Sequence, residues 1–176
     1  MLGFSGAAAA VVRAFTQSGR DDAQFPFVRA PLVGLAPGTP LLNTVEGNER
    51  YSFFVAAYPA TSLQRAEAVY PESSLRLMRD GVIGLSRRCP HHGDPLVFCE
   101  SSKWFECLTH GSFFNEAGEY KAGPSPRGMS LLSGTMSGED EIVLNVGVLE
   151  PGVQEGTNTT GQEPDGPHCI GNPRSS

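Results

Sequence analysis

Cys89-Pro-His91-His-Gly93 and Cys107-Leu-Thr-His110-Gly-Ser112 are the two stretches that decide the fold. Written as donors they read C-x-H, fifteen intervening residues, then C-x-x-H. Two thiols and two imidazoles suit tetrahedral zinc. They also suit a [2Fe–2S] cluster, with both thiolates on one iron and both imidazoles on the other. The spacing separates these options. A zinc finger usually pairs Cys with Cys on a hairpin and His with His on a helix. Here each stretch carries one Cys and one His, so two loops can each give one donor to each of two irons. Gly93 and Gly111 follow the histidines closely. They let the backbone curl inward, where N–H groups stabilise a negatively charged group.

Outward from these stretches the pattern is β. Pro95–Phe98 and Lys103–Cys107 flank the polar Glu100-Ser-Ser102, which reads as a hairpin. Ser112–Asn115 and Glu119–Lys121 flank Glu116-Ala-Gly118, a second hairpin. Leu75–Met78 and Val82–Leu85 flank Arg79-Asp80-Gly81, which reads as a third with Asp-Gly at its turn. Tyr51–Tyr58 and Glu141–Leu149 are strands, and Thr61–Val69 forms one short helix ended by Pro71. The expected class is all-β, an antiparallel β-sandwich with an inserted subdomain at about 88–127.

The 176 residues leave room for one domain of about 41–149 with flanking segments. Residues 1–15 open with an apolar run to Val12. That is short of the roughly 20 residues of a spanning helix. It reads as a partner helix, the outer half of a membrane anchor or a disordered leader. Residues 16–40 hold Pro26, Pro31, Pro37 and Pro40 and read as a linker. Residues 150–176 lose hydrophobics and read as an acidic, flexible tail. The net charge of −6 argues against a nucleic-acid partner. Three of the four cysteines fall within 19 residues, a clustering that favours a metal site over a disulfide framework. Cys99 reads as a buried free thiol, Cys169 as a lone tail thiol and His92 as a surface histidine.

Residues 89–127 resemble a Rieske iron–sulfur protein. Ser101-Ser-Lys-Trp-Phe-Glu-Cys107, Asn115-Glu-Ala-Gly-Glu119 and Gly123-Pro-Ser-Pro-Arg127 resemble the quinol:cytochrome c reductase branch, its actinobacterial-like forms above all. The last of these matches the proline loop that covers the cluster. The resemblance implies one Rieske-type [2Fe–2S] cluster per chain. Cys89 and Cys107 would bind the inner iron and His91 and His110 the outer. His110 would face quinol, and Ser112 would hydrogen-bond a bridging sulfide. It further implies an electron-transfer subunit of a cytochrome bc-type complex rather than a stand-alone enzyme. The partners would be a cytochrome b-type subunit, a cytochrome c-type acceptor and quinol. The cluster domain would sit on the outer, positive face of a bacterial cytoplasmic membrane, held through the N-terminal segment or through partner subunits. The rival reading is a soluble Rieske ferredoxin, or a small Rieske subunit of an oxygenase or a molybdenum oxidase. Further rivals are a structural zinc domain and a degenerate Rieske fold kept for assembly.

The chain departs from that branch in two places. Asp94 and Thr109 stand where the branch has its loop-to-loop disulfide, so packing and a Thr109–Asp94 hydrogen bond are expected to hold the loops. Phe114 stands where a tyrosine hydroxyl would bond a ligand sulfur. A lost sulfur hydrogen bond and the charge of Asp94 both lower the expected potential. It should fall in the middle or lower part of the span from about −150 to +300 mV, which suits menaquinol.

Overall fold

The computed structural model describes residues 9–15 and 27–171. In chain order the elements begin with strands β1 (Ala9–Val12), β2 (Ala14–Phe15), β3 (Phe27–Pro31), β4 (Leu41–Val45) and β5 (Asn48–Ala57). A 3₁₀ turn (Ala60–Ser62), α1 (Leu63–Ala66) and α2 (Glu72–Arg79) follow. Then come β6 (Val82–Ser86), β7 (Val97–Cys99), β8 (Trp104–Glu106), β9 (Phe113–Phe114) and β10 (Tyr120–Ala122). β11 (Leu131–Met136) and β12 (Glu141–Glu150) close the order.

Eight strands form the large sheet in the order β1-β4-β5-β6-β11-β12-β3-β2. Four form the small sheet, β10-β9-β8-β7, inserted between β6 and β11. The large sheet curls until β1 touches β3. β5 shows why alternation builds this shape. Phe53 and Val55 point into the core inside the curl, with Val28, Leu132 and Ile142. Phe54 and Ala56 point the other way, into the core shared with the helices and the small sheet. A period of two thus sends one strand's apolar residues to two faces. Phe105 and Phe114 from the small sheet join Phe54, Leu85 and Met129 in that second core. The subdomain is therefore seated on the sheet through packed rings, with Phe54 and Phe105 centred 4.8 Å apart.

Three sequence expectations are corrected here. Leu75–Met78 is not a strand but lies in α2, with Ser74, Leu75, Leu77 and Met78 buried. Asp80-Gly81 ends that helix instead of turning a hairpin: Gly81 has φ 83° and its N–H donates to the Met78 carbonyl. A glycine in the left-handed region serves both ends equally well. The N-terminal run is also extended where it is described. β1 pairs in parallel with Leu42–Val45. Residues 27–31, read as linker, form β3 against β12. Residues 1–8 and 16–26 of the expected apolar segment and linker lie outside the described residues.

The third correction concerns the C-terminal segment and its cysteines. Cys99 and Cys169 are not free: they form a disulfide across 70 residues. The described part of the segment read as a flexible tail, residues 151–171, is laid along the small sheet. The Gly128 N–H donates to the Val153 carbonyl, and the Asp165 N–H to that of Ser102. Thr159 is buried against Glu119, which accepts its N–H at 2.9 Å and its hydroxyl. Glu119 also accepts the Tyr70 hydroxyl (3.1 Å) and the Asn115 amide (2.8 Å). A buried carboxylate needs that many donors to offset its lost hydration. Burial first, then the Glu119 charge, holds the Tyr70 hydroxyl well above its ordinary pKa.

Candidate metal centre

Two loops meet at the outer end of the small sheet. Loop one, residues 89–94, leaves β6 and is closed by a bridge between Arg88 and Pro95. Loop two, residues 107–112, joins β8 to β9. Loop two is the tip of a hairpin, whereas loop one links the large sheet to the small. Both loops share a hydrogen-bond frame. The Cys89 N–H donates to the Asp94 carbonyl and the Gly93 N–H back to the Cys89 carbonyl, both at 2.8 Å. The Cys107 N–H donates to the Ser112 carbonyl and the Gly111 N–H to that of Cys107, both at 2.9 Å. Gly93 (φ 81°) and Gly111 (φ 74°) make the turn within each frame.

Within these frames the sulfurs go inward and the rings outward. Cys89 and Cys107 are buried and unbridged. The Cys107 sulfur, the Ser112 hydroxyl and the His91 backbone lie around the Cys89 thiol. Burial above all pushes the Cys89 thiol up to about 11, and the negative charge of Cys107 adds to the rise, so the free thiol keeps its proton at neutral pH. The rings of His91 and His110 meet edge to face, 4.9 Å apart. The His92 ring lies 3.8 Å from that of His91, tilted by 42°, and is exposed. Desolvation, then the neighbouring His92 and His110, lowers the His91 pKa. Asp94 Oδ2 is turned to His110 Nδ1 at 3.4 Å, and not to Thr109, which is exposed.

A third loop covers the site. Gly123 (φ 96°) lies so close to loop two that a Cβ there would sit 2.1 Å from the Gly111 carbonyl oxygen. The Ser125 N–H donates to the Ser112 hydroxyl at 3.1 Å. Tyr120 fastens the loop by donating its hydroxyl to the Gly123 carbonyl at 2.6 Å. Arg127 binds away from the ligand loops, on the Gly128 carbonyl and Ser130.

A family model described as "Rieske [2Fe-2S] domain" matches residues 55–142, half of the chain. The chain belongs to the Rieske [2Fe–2S] domain family. It is 27% identical over 92 residues to the cytochrome b6-f complex iron-sulfur subunit of Synechococcus sp. (strain JA-3-3Ab), covering 51% of this chain and 54% of that protein. It is 27% identical over 128 residues to the subunit of the same description from Cyanothece sp. (strain PCC 7425 / ATCC 29141), covering 68% and 71%. The chain thus spans about half the length of the first of these curated relatives. Among solved structures, a chain of "Hyperthermophilic respiratory Complex III" is similar at 17% identity and a TM-score of 0.44, over 64% of this chain and 71% of that one.

The Rieske domain implies a [2Fe–2S] cluster, and the residues of this chain fit one. His91 Nδ1 is buried without a hydrogen-bond partner, the state of a nitrogen meant for a metal. Two buried thiols and a buried hydroxyl stand behind it. A mixed sulfur and nitrogen donor set of this kind suits a Rieske centre. The C-terminal clasp on the neighbouring hairpin is what sequence reasoning missed. Glu106, directly before Cys107, is fully buried and accepts the N–H groups of Cys169 (3.0 Å) and Ile170 (3.2 Å). Its other oxygen accepts the Ser102 hydroxyl and lies 2.9 Å from His168 Nδ1. The one signal was a Cys-containing end segment beside an unmatched Cys99.

Proposed function

We propose that this chain is the electron-transfer subunit of a cytochrome bc-type complex that oxidises quinol and passes electrons to a cytochrome c-type acceptor. The observation that carries the reading is the pair of matching Cys/His loops, one of them pressed under the Gly123–Pro126 loop, with His110 at the exposed tip. Cys89 and Cys107 would hold the inner iron, and His91 and His110 the outer. When bound, a cluster of this type supplies one-electron oxidation and reduction at a potential set by its surroundings.

The chain's own residues set those surroundings. Ser112 presents a hydroxyl among the sulfurs. Phe105, Phe114 and Leu96, all fully buried, keep water from the inner side. His110 would take the quinol proton at Nε2, the ring nitrogen not turned to Asp94. Leu108, 46% exposed on the same loop, and the exposed Pro124 and Pro126 of the covering loop would offer apolar contact to a quinol ring or a partner surface. Among the described residues no helix is long and apolar enough to cross a membrane. Attachment at the outer face of a bacterial cytoplasmic membrane would come through the N-terminal segment or through partner subunits. The missing loop-to-loop disulfide and Phe114 favour menaquinol as the donor.

An EPR-monitored redox titration at several pH values tests this. The expected result is a reduced [2Fe–2S] signal with nitrogen ligation and a midpoint that falls as pH rises. A midpoint at the lower end of the span, about −150 mV, with no pH dependence would replace quinol oxidation by a ferredoxin-like role. Zinc in place of iron and sulfide would overturn both.

A further inference from the structure

The two ligand loops carry no covalent tie to each other, since Asp94 and Thr109 cannot form one. The chain has a different tie nearby. Residues 165–170 run along the outside of the β7–β8 hairpin, whose far end is Cys107. The Ser101 hydroxyl donates to the Pro167 carbonyl at 2.6 Å, and the Asp165 N–H to the Ser102 carbonyl at 3.0 Å. The His168 ring packs on Phe113 (4.6 Å) and Trp104 (5.2 Å), so it bridges β8 and β9 on either side of loop two. The Cys99–Cys169 disulfide anchors this strap and encloses loop two and the covering loop in one covalent ring.

We propose that this strap is a thiol-sensitive clamp on the cluster, and that Glu106 is the positioning residue through which it acts. The proposal rests on the cluster-binding reading above. Glu106 is the direct chain neighbour of Cys107, and most of its donors come from the strap: two N–H groups and the His168 ring. If the strap lifts, a fully buried carboxylate keeps only Ser102. A buried charge stripped of its donors draws in water or moves. Either event shifts Cys107 and opens the dry inner side of the site. Opening the strap takes a dithiol reductant. Its thiolate attacks the Cys169 sulfur, which is partly exposed while Cys99 is fully buried. The Cys99–Cys169 bond breaks and Cys99 leaves as the thiolate; the second thiol of the reductant then attacks the reductant sulfur now bonded to Cys169 and displaces the Cys169 thiolate. The products are two protein thiols and the oxidised reductant, with two electrons and two protons transferred.

The test uses the purified, cluster-containing full chain without oxygen. Iron release to a chelator is timed before and after dithiol treatment, with free thiols counted by mass spectrometry. Reduction of the one disulfide should speed iron release tenfold or more, and reoxidation should restore the slow rate. The variant Cys169→Ser should release iron at the fast rate untreated and gain nothing further from dithiol, which excludes direct attack on the ligand thiolates. His168→Gln keeps the disulfide but removes the imidazole, and should shift the reduced EPR spectrum and release iron at an intermediate rate. Release within twofold of the starting rate after full reduction would overturn the clamp. So would an unchanged spectrum and rate in His168→Gln together with a slow Cys169→Ser. Failure of the parent reading looks different: the untreated protein would then show no [2Fe–2S] signal at all.

Discussion

The two ligand loops are built on one backbone frame and differ in the residue that follows its glycine and in what covers them. Each runs from a buried cysteine through a left-handed glycine four residues later, closed by the same pair of hydrogen bonds. The residue after the glycine is Asp94 in loop one and Ser112 in loop two. Asp94 is partly exposed and turned to His110, while Ser112 is fully buried, reaches the Cys89 sulfur and receives the Ser125 N–H. Loop two is pressed from above by Gly123. At Gly93 of loop one the nearest neighbour is the Arg88 side chain. The frame therefore sets where the donors stand. The neighbours decide what each loop tolerates and how it tunes a bound group.

The largest expected effect separates the loops by their cover. In Gly123→Ala the new methyl would lie 2.1 Å from the Gly111 oxygen and 2.6 Å from the Ser112 Cα, both backbone atoms. Neither can swing aside, and the φ of 96° adds strain of its own. A loss of about 3 kcal/mol or more is expected. In Gly93→Ala the close atom is the Arg88 guanidinium at 2.9 Å, the free end of a flexible side chain. The cost there should be near the left-handed penalty of about 1 kcal/mol. Urea unfolding of both variants checks this. Equal losses would mean that the covering loop yields and that the two loops are equivalent.

Next in size is the residue after the glycine in loop two. Ser112→Ala removes the acceptor of the Ser125 N–H inside the protein, where an unpaired donor costs about 1–3 kcal/mol. It also removes a hydroxyl from the sulfurs. Hydrogen bonds to sulfur favour the reduced, more negative cluster, so their loss lowers the potential. For a one-electron couple about 1 kcal/mol corresponds to about 40 mV. A drop of that order is expected by titration, with Ser112→Thr close to the parent. A rise in potential would remove Ser112 from any role toward the sulfurs.

What the sequence made legible follows the range of the interactions. The β7–β8 and β9–β10 hairpins form from residues less than ten apart with turn residues between them, and the structure pairs both, the second with a register shift between Tyr120 and Ala122. The all-β class followed from the same alternation. α2 was misread because Leu75, Leu77 and Met78 satisfy either period over so short a run, and Asp80-Gly81 serves a helix end as readily as a hairpin. β1 was misread because Ala-Ala-Val-Val has no period at all. The Cys99–Cys169 bond and the burial of Glu106 and Glu119 under residues 159–170 join parts of the chain 40 to 70 residues apart. Composition described that segment as polar and acidic. Its polar groups are the donors that two buried carboxylates required, which no local pattern announces.

The smallest expected effect lies at the matching position of loop one. Asp94 and His110 are 30% and 40% exposed at the side chain, so solvent screens their interaction to about 1 kcal/mol or less. The Asp94 carboxylate puts negative charge beside the outer donors, which opposes the gain of an electron there. Asp94→Asn keeps the size and removes the charge. The potential should rise by at most about 40 mV, the equivalent of that energy for one electron. The rise should shrink at high salt, because exposed charges are screened. Stability should hardly change, since the carbonyl that closes the frame is backbone and stays. The two substitutions thus move the potential in opposite directions from equivalent positions, Ser112→Ala down and Asp94→Asn up. If Asp94→Asn instead unfolds the loop or releases iron, the carboxylate is holding the two loops together where a disulfide is missing. The difference between the loops would then lie in the side chains that join them rather than in what covers them.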